Sequence, residues 1–468
     1  MQTQFIPDWL KQPTDVNAID AKVWPTNLHR ASSGEVEIGG VAARSLVAEF
    51  GSPLYVIDED DFRSRALTVK AAFENAAKSI GTSAKVYYAS KVLLTTEIAH
   101  WINELGLNID VATGGEFAVA MAGGIEPSRI GFHGNNKSTR EIARAVSAGV
   151  GAIVIDSEVE IERVAAAAAA QDKIQRVRLR VNTGVHASTH DYLATARDDQ
   201  KFGVSLLDAA ELVAKIRSYS HLEFIGLHSH IGSQIYATDG FIEAVRRTMK
   251  LHKELSAIAP IAELNLGGGF GVAYKPGDSA PSATEFAEAI AVAVKVECHK
   301  LGIEVPVLAF EPGRAIAANA GITLYTVGTI KDVALSEFGT DAVRKYVSVD
   351  GGMSDNARTA LYEADYHTII ASRASAAAPA VARVVGKHCE SGDIVVNYDY
   401  LPADVTSGDM LAVAATGAYC YSLSSNYNLV TKPAMVAVSA GKARLVLRAE
   451  TEADLFTRDV RYQADGNG

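Results

Sequence analysis

Cysteine is scarce in this 468-residue sequence: Cys298, Cys389 and Cys420 are the only three, and no two form a C-x-x-C pair. So few thiols in so long a chain exclude a disulfide scaffold. They predict a reduced, cytoplasmic setting in which any functional sulfur acts as a free thiol. Positive charge is also in deficit, with 44 Lys and Arg against 55 Asp and Glu, a net charge of −11. Nucleic acid and anionic membrane surfaces both demand a basic footprint, so neither is an expected partner. Nowhere do about 18 apolar residues run together, so no membrane span is predicted. The N-terminus, MQTQFIPDWLKQPTD, lacks the basic and apolar regions of a secretory signal. What is plentiful is apolar: 48% hydrophobic residues with only 21% charged ones exclude a disordered chain. Small-molecule metabolism is the class that survives.

After an N-terminal arm of about 35 residues and the run LYVID (54–58), eight short β-branched runs alternate with segments long enough for helices. They are KVYYAS (85–90), LNIDV (107–111), RIGFHG (129–134), AIVID (152–156), RVRLRVN (176–182), FIGLHSHIGS (224–233), ELNLGGG (263–269) and VLAFEPG (307–313). The spacing predicts helices over 208–217 and 284–300. Eight such repeats point to a TIM-like (β/α)8 barrel in a domain spanning 49–315, with a doubly wound open sheet as the competing arrangement. The placement of polar residues favours the barrel. Lys91, Asp110, His133, Asp156, Arg180, His230, Gly267–Gly269 and Glu311–Arg314 all fall at or just past strand C-termini, which a barrel gathers at one mouth. From residue 316 the texture changes to strands joined by Gly-, Asp- and Ser-containing turns. A mostly-β domain is predicted for 316–468, completed by residues 1–48, where GEVEIGGVAA can supply a strand.

Four strand ends carry candidate chemistry. Lys91, directly after YYAS, is either a surface lysine or a Schiff-base former made reactive by a lowered pKa. LGGGFG (266–271) lets backbone N–H groups approach a phosphate at the barrel's usual phosphate site. It lacks the G-x-G-x-x-G spacing of a dinucleotide fold, and no P-loop motif is present. In EPGR (311–314), Arg314 can bind phosphate or carboxylate and Glu311 can face a protonated ring nitrogen, although a Glu–Arg structural ion pair fits equally well. HSHIGSQ (228–234) invites a metal reading through His228 and His230. The strand-five and strand-eight ligands that metal-dependent barrel hydrolases need are missing, so no metal is predicted.

Taken together, YYASK, HSHIGSQ, LGGGFG and EPGR resemble the fold-type III pyridoxal 5′-phosphate decarboxylases. DGGMSDNARTALY (350–362), CESGD (389–393) and GAYCYSLSSNYN (417–428) resemble the branch acting on diaminopimelate, as do NIDVATGGE (108–116), FHGNNK (132–137) and DQKFGV (199–204). The resemblance runs in order from about residue 50 to 430 and spans both domains. It implies an alanine-racemase-like barrel with pyridoxal 5′-phosphate on Lys91 as a Schiff base and His230 against its ring. Ser233, Gly269 and the backbone of Glu311, Pro312, Gly313 and Arg314 would hold the phosphate, with Glu311 at the ring nitrogen. Arg314, Arg358 and Tyr362 would bind substrate carboxylates, Tyr419 would touch cofactor and substrate, and Glu390 would read the distal amino group. Cys389 would be the proton donor in converting meso-2,6-diaminopimelate to L-lysine and carbon dioxide, the last step of lysine biosynthesis. The resemblance further implies a homodimer whose Cys389–Glu390 loop completes the partner's site. Two departures stand beside the match: Val92 follows the lysine where a smaller residue is common, and Thr183 sits where proline is common.

Overall fold

The structure, a computed structural model, describes residues 5–185, 201–339 and 342–464. The chain divides into two compact units, one of Arg65–Val272 and Ser279–Ile316, the other of Met1–Ser64, Ala273–Asp278 and Ala317–Gly468.

The first unit is a closed barrel of eight parallel strands. These are Ala84–Ala89, Asn108–Val111, Ile130–Phe132, Ala152–Ile155, Gln175–Asn182, Leu222–His228, Glu263–Asn265 and Val307–Phe310. Each pairs with its sequence neighbour, and the eighth returns to the first through Leu308↔Ala84, so the sheet has no open edge. That closure decides against the doubly wound alternative. Strands such as Ala152–Ile155 are buried at every position, as a parallel sheet covered on both faces requires. The seventh strand is shorter than its sequence run: it stops at Asn265, and the three glycines form the loop beyond it. A short extra strand, Val204–Ser205, pairs with the fifth. Of the DQKFGV run, Asp199 and Gln200 lie outside the described residues.

Helices start and stop where local chemistry dictates. Ala283–Leu301 opens on a capping box, Ser282 with Glu285, and ends at Gly302 with φ +65°. Ala209–Ser218 carries Leu212, Val213 and Ile216 on its buried face. Inside the barrel, odd-numbered strands supply a polar layer. Arg178 on the fifth donates to Tyr87 Oη on the first at 2.9 Å and to Glu263 on the seventh at 2.6 Å. Strands five, seven and one are not neighbours, so these bonds cross the interior and floor the mouth above them.

The second unit is mostly β. The long strand Gly321–Ala334 pairs antiparallel with Val343–Val349, Met410–Val413 and Leu54–Asp58. Leu54–Asp58 also pairs in parallel with Ala434–Ser439. The sequence division at residue 49 assigns LYVID to the barrel, but its hydrogen bonds put it in this sheet. All five of its positions are buried, and Leu54 and Val56 join a core with Trp24, Ile322, Leu324 and Val436. The N-terminal arm contributes a three-stranded sheet of Leu28–Arg30, Val36–Ile38 and Val41–Ala42. Among the described residues, no helix is long and apolar enough to cross a membrane.

Candidate active site

The first strand ends in a tight turn, Ser90–Val92, that leaves Lys91 exposed and buries Val92. The Lys91 charge acts on both Asp110, on the second strand, and His230, just past the sixth. The departure at Val92 is accommodated by Gly313. A Cβ there would lie 2.7 Å from Val92 Cγ1 and 2.9 Å from Ala89 Cβ, so the eighth strand end needs glycine to pack on the first.

Glu311 is the best-furnished carboxylate of the mouth. Asn265 Nδ2 donates to its Oε1 at 2.8 Å, while His228 Nε2 lies 3.1 Å away and His133 Nε2 3.4 Å away. Burial alone pushes this carboxyl up, but the imidazoles opposite overcome it and hold Glu311 well below the usual carboxylate range. Burial also lowers His133 and His228 to about 4, so both are neutral near pH 7. Asp110, 3.3 Å from His133 Nε2, moves the other way: burial and the charge of Glu311 raise it well above its ordinary value. One atom each of His133, His228 and Glu311 lies within 4.8 Å of the others, a spacing that a metal ion also accepts.

The histidines of H-x-H therefore serve different partners. His228 faces Glu311, whereas His230 Nδ1 accepts from Gly268 N–H at 3.3 Å, leaving its proton on Nε2. Burial, then the charge of Lys91, holds His230 well below its normal pKa. Gly267 N–H is likewise committed, donating to Asn265 Oδ1 at 2.8 Å. Two of the three glycine amides thus orient side chains. Gly269 has φ +104°, and a Cβ on it would lie 2.3 Å from Gly232 O, so only glycine lets the two loops touch. Beside them Ser233 Oγ accepts from Arg314 Nη2 at 2.8 Å, and Arg314, 8% exposed, opens the short helix Arg314–Ala317. Lys91, His230, Ser233, Gly269 and Glu311–Arg314 are accordingly gathered at one end of the barrel.

The remaining sequence-predicted residues lie in the β unit. Arg358 is buried and donates through Nη1 to Tyr366 Oη at 2.8 Å. Its guanidinium lies over the rings of Tyr274 (4.9 Å), Tyr366 (5.7 Å) and Tyr419 (5.7 Å). Arg358 and Tyr419 are thus brought together, and Tyr419 holds a left-handed backbone with φ +65°. Tyr362, on the helix that Arg358 opens, is 66% exposed. Cys389 and Glu390 sit in an exposed turn between the strands Pro379–Val385 and Ile394–Pro402, where Cys389 N–H donates to Asn428 Oδ1 at 3.2 Å. Sequence reading missed Asn265, Tyr274 and Tyr366. It marked Asp110 and His133 only as polar strand ends, and no motif signals that they meet Glu311.

Comparison with known proteins bears on this geometry. A family model described as pyridoxal-dependent decarboxylase, pyridoxal binding domain, matches residues 66–318. The diaminopimelate decarboxylase of Mycobacterium tuberculosis is 51% identical over 447 residues, covering 94% of this chain and 98% of the relative. That of Bacillus subtilis is 41% identical over 436 residues, covering 92% and 96%. The crystal structure of diaminopimelate decarboxylase from M. jannaschii in co-complex with L-lysine matches with a TM-score of 0.86 at 31% identity. It covers 93% of this chain and 98% of that one.

Proposed function

The chain belongs to the diaminopimelate decarboxylases, pyridoxal-dependent lyases, and from that premise we propose that it removes one carboxyl group of meso-2,6-diaminopimelate to leave L-lysine, with Lys91 as the cofactor-bearing residue and Cys389 as the proton donor. The residues of the barrel mouth fit pyridoxal 5′-phosphate. Glu311 is an ionised carboxylate among buried donors, suited to a protonated ring nitrogen. The glycine loop and the Ser233–Arg314 pair offer small, polar, positively charged surroundings for a phosphate.

When bound, the cofactor supplies an electron-poor ring into which the charge left by departing carbon dioxide spreads. The protein's work is to position and to move protons. Lys91 would hold the group through Nζ. His230, its tautomer set by Gly268, would lie against the ring face. Ser233, Gly269 and the backbone of Glu311, Pro312, Gly313 and Arg314 would hold the phosphate. Arg314 and Arg358 offer guanidiniums to the substrate's carboxylates, assisted by Tyr362 and Tyr419, and Glu390 meets the distal amino group. Cys389 Sγ gives its proton to Cα.

The thiol and Glu390 are exposed on a turn whose Cys389 amide donates to Asn428, which suits a loop that inserts into a second copy. The working form is on this reading a cytoplasmic homodimer with shared sites. What supports the assignment most is the convergence of lysine, histidine, serine, glycine loop and Glu311–Arg314 on one end of a closed barrel. The test is lysine and carbon dioxide release from meso-2,6-diaminopimelate by protein supplied with cofactor. Equal amounts of both products are expected, with severe loss in Arg358→Ala. Turnover of ornithine in preference to diaminopimelate, or full activity in Arg358→Ala, would overturn it.

A further inference from the structure

Two buried carboxylates share the barrel mouth, and the nitrogens around them are unequally divided. Glu311 accepts a hydrogen bond from Asn265 at 2.8 Å and is faced by two imidazole nitrogens, His228 Nε2 at 3.1 Å and His133 Nε2 at 3.4 Å. Asp110 joins the group through the same imidazole, its Oδ1 3.3 Å from His133 Nε2. Asn265 and His228 are 0% and 1% exposed. The Asn265 donor is fixed whatever the charge state. Its Oδ1 accepts from Gly267 N–H at 2.8 Å, so the amide can present only Nδ2 to Glu311. Two carboxylates joined through one imidazole in a site of low dielectric do not both ionise cheaply, and the charge settles on Glu311, which receives the fixed Asn265 donor and also faces His228. Of the other charged groups acting on the cluster, Lys91, Lys137, Arg178 and Arg180 supply the surrounding positive field and Glu116 adds a further acid.

We infer that Asn265, His228 and His133 are positioning residues that fix the pair's single negative charge on Glu311 and leave Asp110 protonated. The ring nitrogen facing Glu311 therefore keeps its proton, and the ring stays electron-poor. This rests on the cofactor reading above and adds the residues that make Glu311 the anion. None of the three needs to touch the reacting atoms. Their effect passes through Glu311, and neutral imidazoles suit it, because a charged one would itself carry the proton that the ring nitrogen needs.

The experiment loads the full chain with cofactor carrying an isotope-labelled ring nitrogen and reads its protonation by nitrogen NMR. The wild type is expected to show the protonated resonance, and Glu311→Gln to lose it. His228→Leu should shift it toward the unprotonated position, and His228→Gln, which keeps an N–H, should recover it at least in part. Asp110→Asn, nearly isosteric, should leave it in place, since that carboxyl carries no charge. A wild-type resonance in His228→Leu overturns the inference, and so does an Asp110→Asn shift as large as that of Glu311→Gln. The second arm stands even if His228→Leu does not fold. Failure of the wild type to take up cofactor, or a protonated nitrogen retained in Glu311→Gln, instead defeats the cofactor reading itself.

Discussion

Tyr366→Phe removes one oxygen from a residue 1% exposed and should be read out in substrate binding. The lost group is the acceptor of the Arg358 Nη1 hydrogen bond at 2.8 Å. A hydrogen bond to a charged partner contributes about 1.5–3 kcal/mol. Phenylalanine keeps the ring face, and the rings of Tyr274 and Tyr419 stay at 4.9 and 5.7 Å, so the cation–π part survives. A net loss near the lower bound, about 1.5 kcal/mol, is expected, and at about 1.4 kcal/mol per decade it corresponds to a roughly tenfold rise in KM. Because Arg358 on the proposed reading holds the substrate alike before and during reaction, kcat should stay within about threefold. Steady-state kinetics on meso-2,6-diaminopimelate give both constants. The effect should be non-additive with Arg358→Lys, since the tyrosine acts through the arginine. An unchanged KM in a folded Tyr366→Phe protein, or full additivity, would refute the reasoning.

Gly269→Ala puts a Cβ 2.3 Å from Gly232 O at φ +104°, a strain on the order of 1–3 kcal/mol; titration with pyridoxal 5′-phosphate should show at least about fivefold weaker binding, and an unchanged affinity would contradict the packing argument. Cys389→Ala should leave cofactor binding intact while lowering kcat by about 100- to 10,000-fold, the usual contribution of a placed general acid; a loss under about threefold would point to another donor. Asp355 is pushed up to about 7 by burial, so the folded chain holds that proton more tightly than the unfolded one, whose carboxyl titrates near its ordinary 3.8. Its contribution to stability is complete below the unfolded value and is lost as pH rises through about 7. Denaturant titrations should therefore show wild-type stability falling between those limits relative to Asp355→Asn; parallel curves would exclude it.

Much of the barrel is legible because its signals are local. Each strand is a short β-branched run, and turn residues or capping boxes such as Ser282 with Glu285 mark the intervening helices. The chemistry-bearing strand ends were legible for the same reason: Lys91, His230 and Glu311 each follow a run directly. What the residues there do to one another was not. The Glu311 cluster depends on the register of strands two, three, six, seven and eight around a closed sheet, and that information is spread over some two hundred positions (Asp110 to Glu311). The partners of the H-x-H histidines were illegible for a related reason, since Gly268 and Glu311, both distant in sequence, draw His230 and His228 to separate tasks. LYVID reads identically as a barrel strand or a sheet strand, and only its pairing with Gly321–Leu324 decides. Tyr366 and Tyr274 carry no sequence signature at all. A buried tyrosine looks like core until the arginine beneath it is seen.

The most direct test of the central claim is to reduce the cofactor-loaded protein with borohydride and map the adduct by peptide mass spectrometry. A phosphopyridoxyl group on the peptide containing Lys91, with no adduct in Lys91→Ala, is the expected result. An adduct on a different lysine, or an unmodified Lys91 in catalytically active protein, would contradict it.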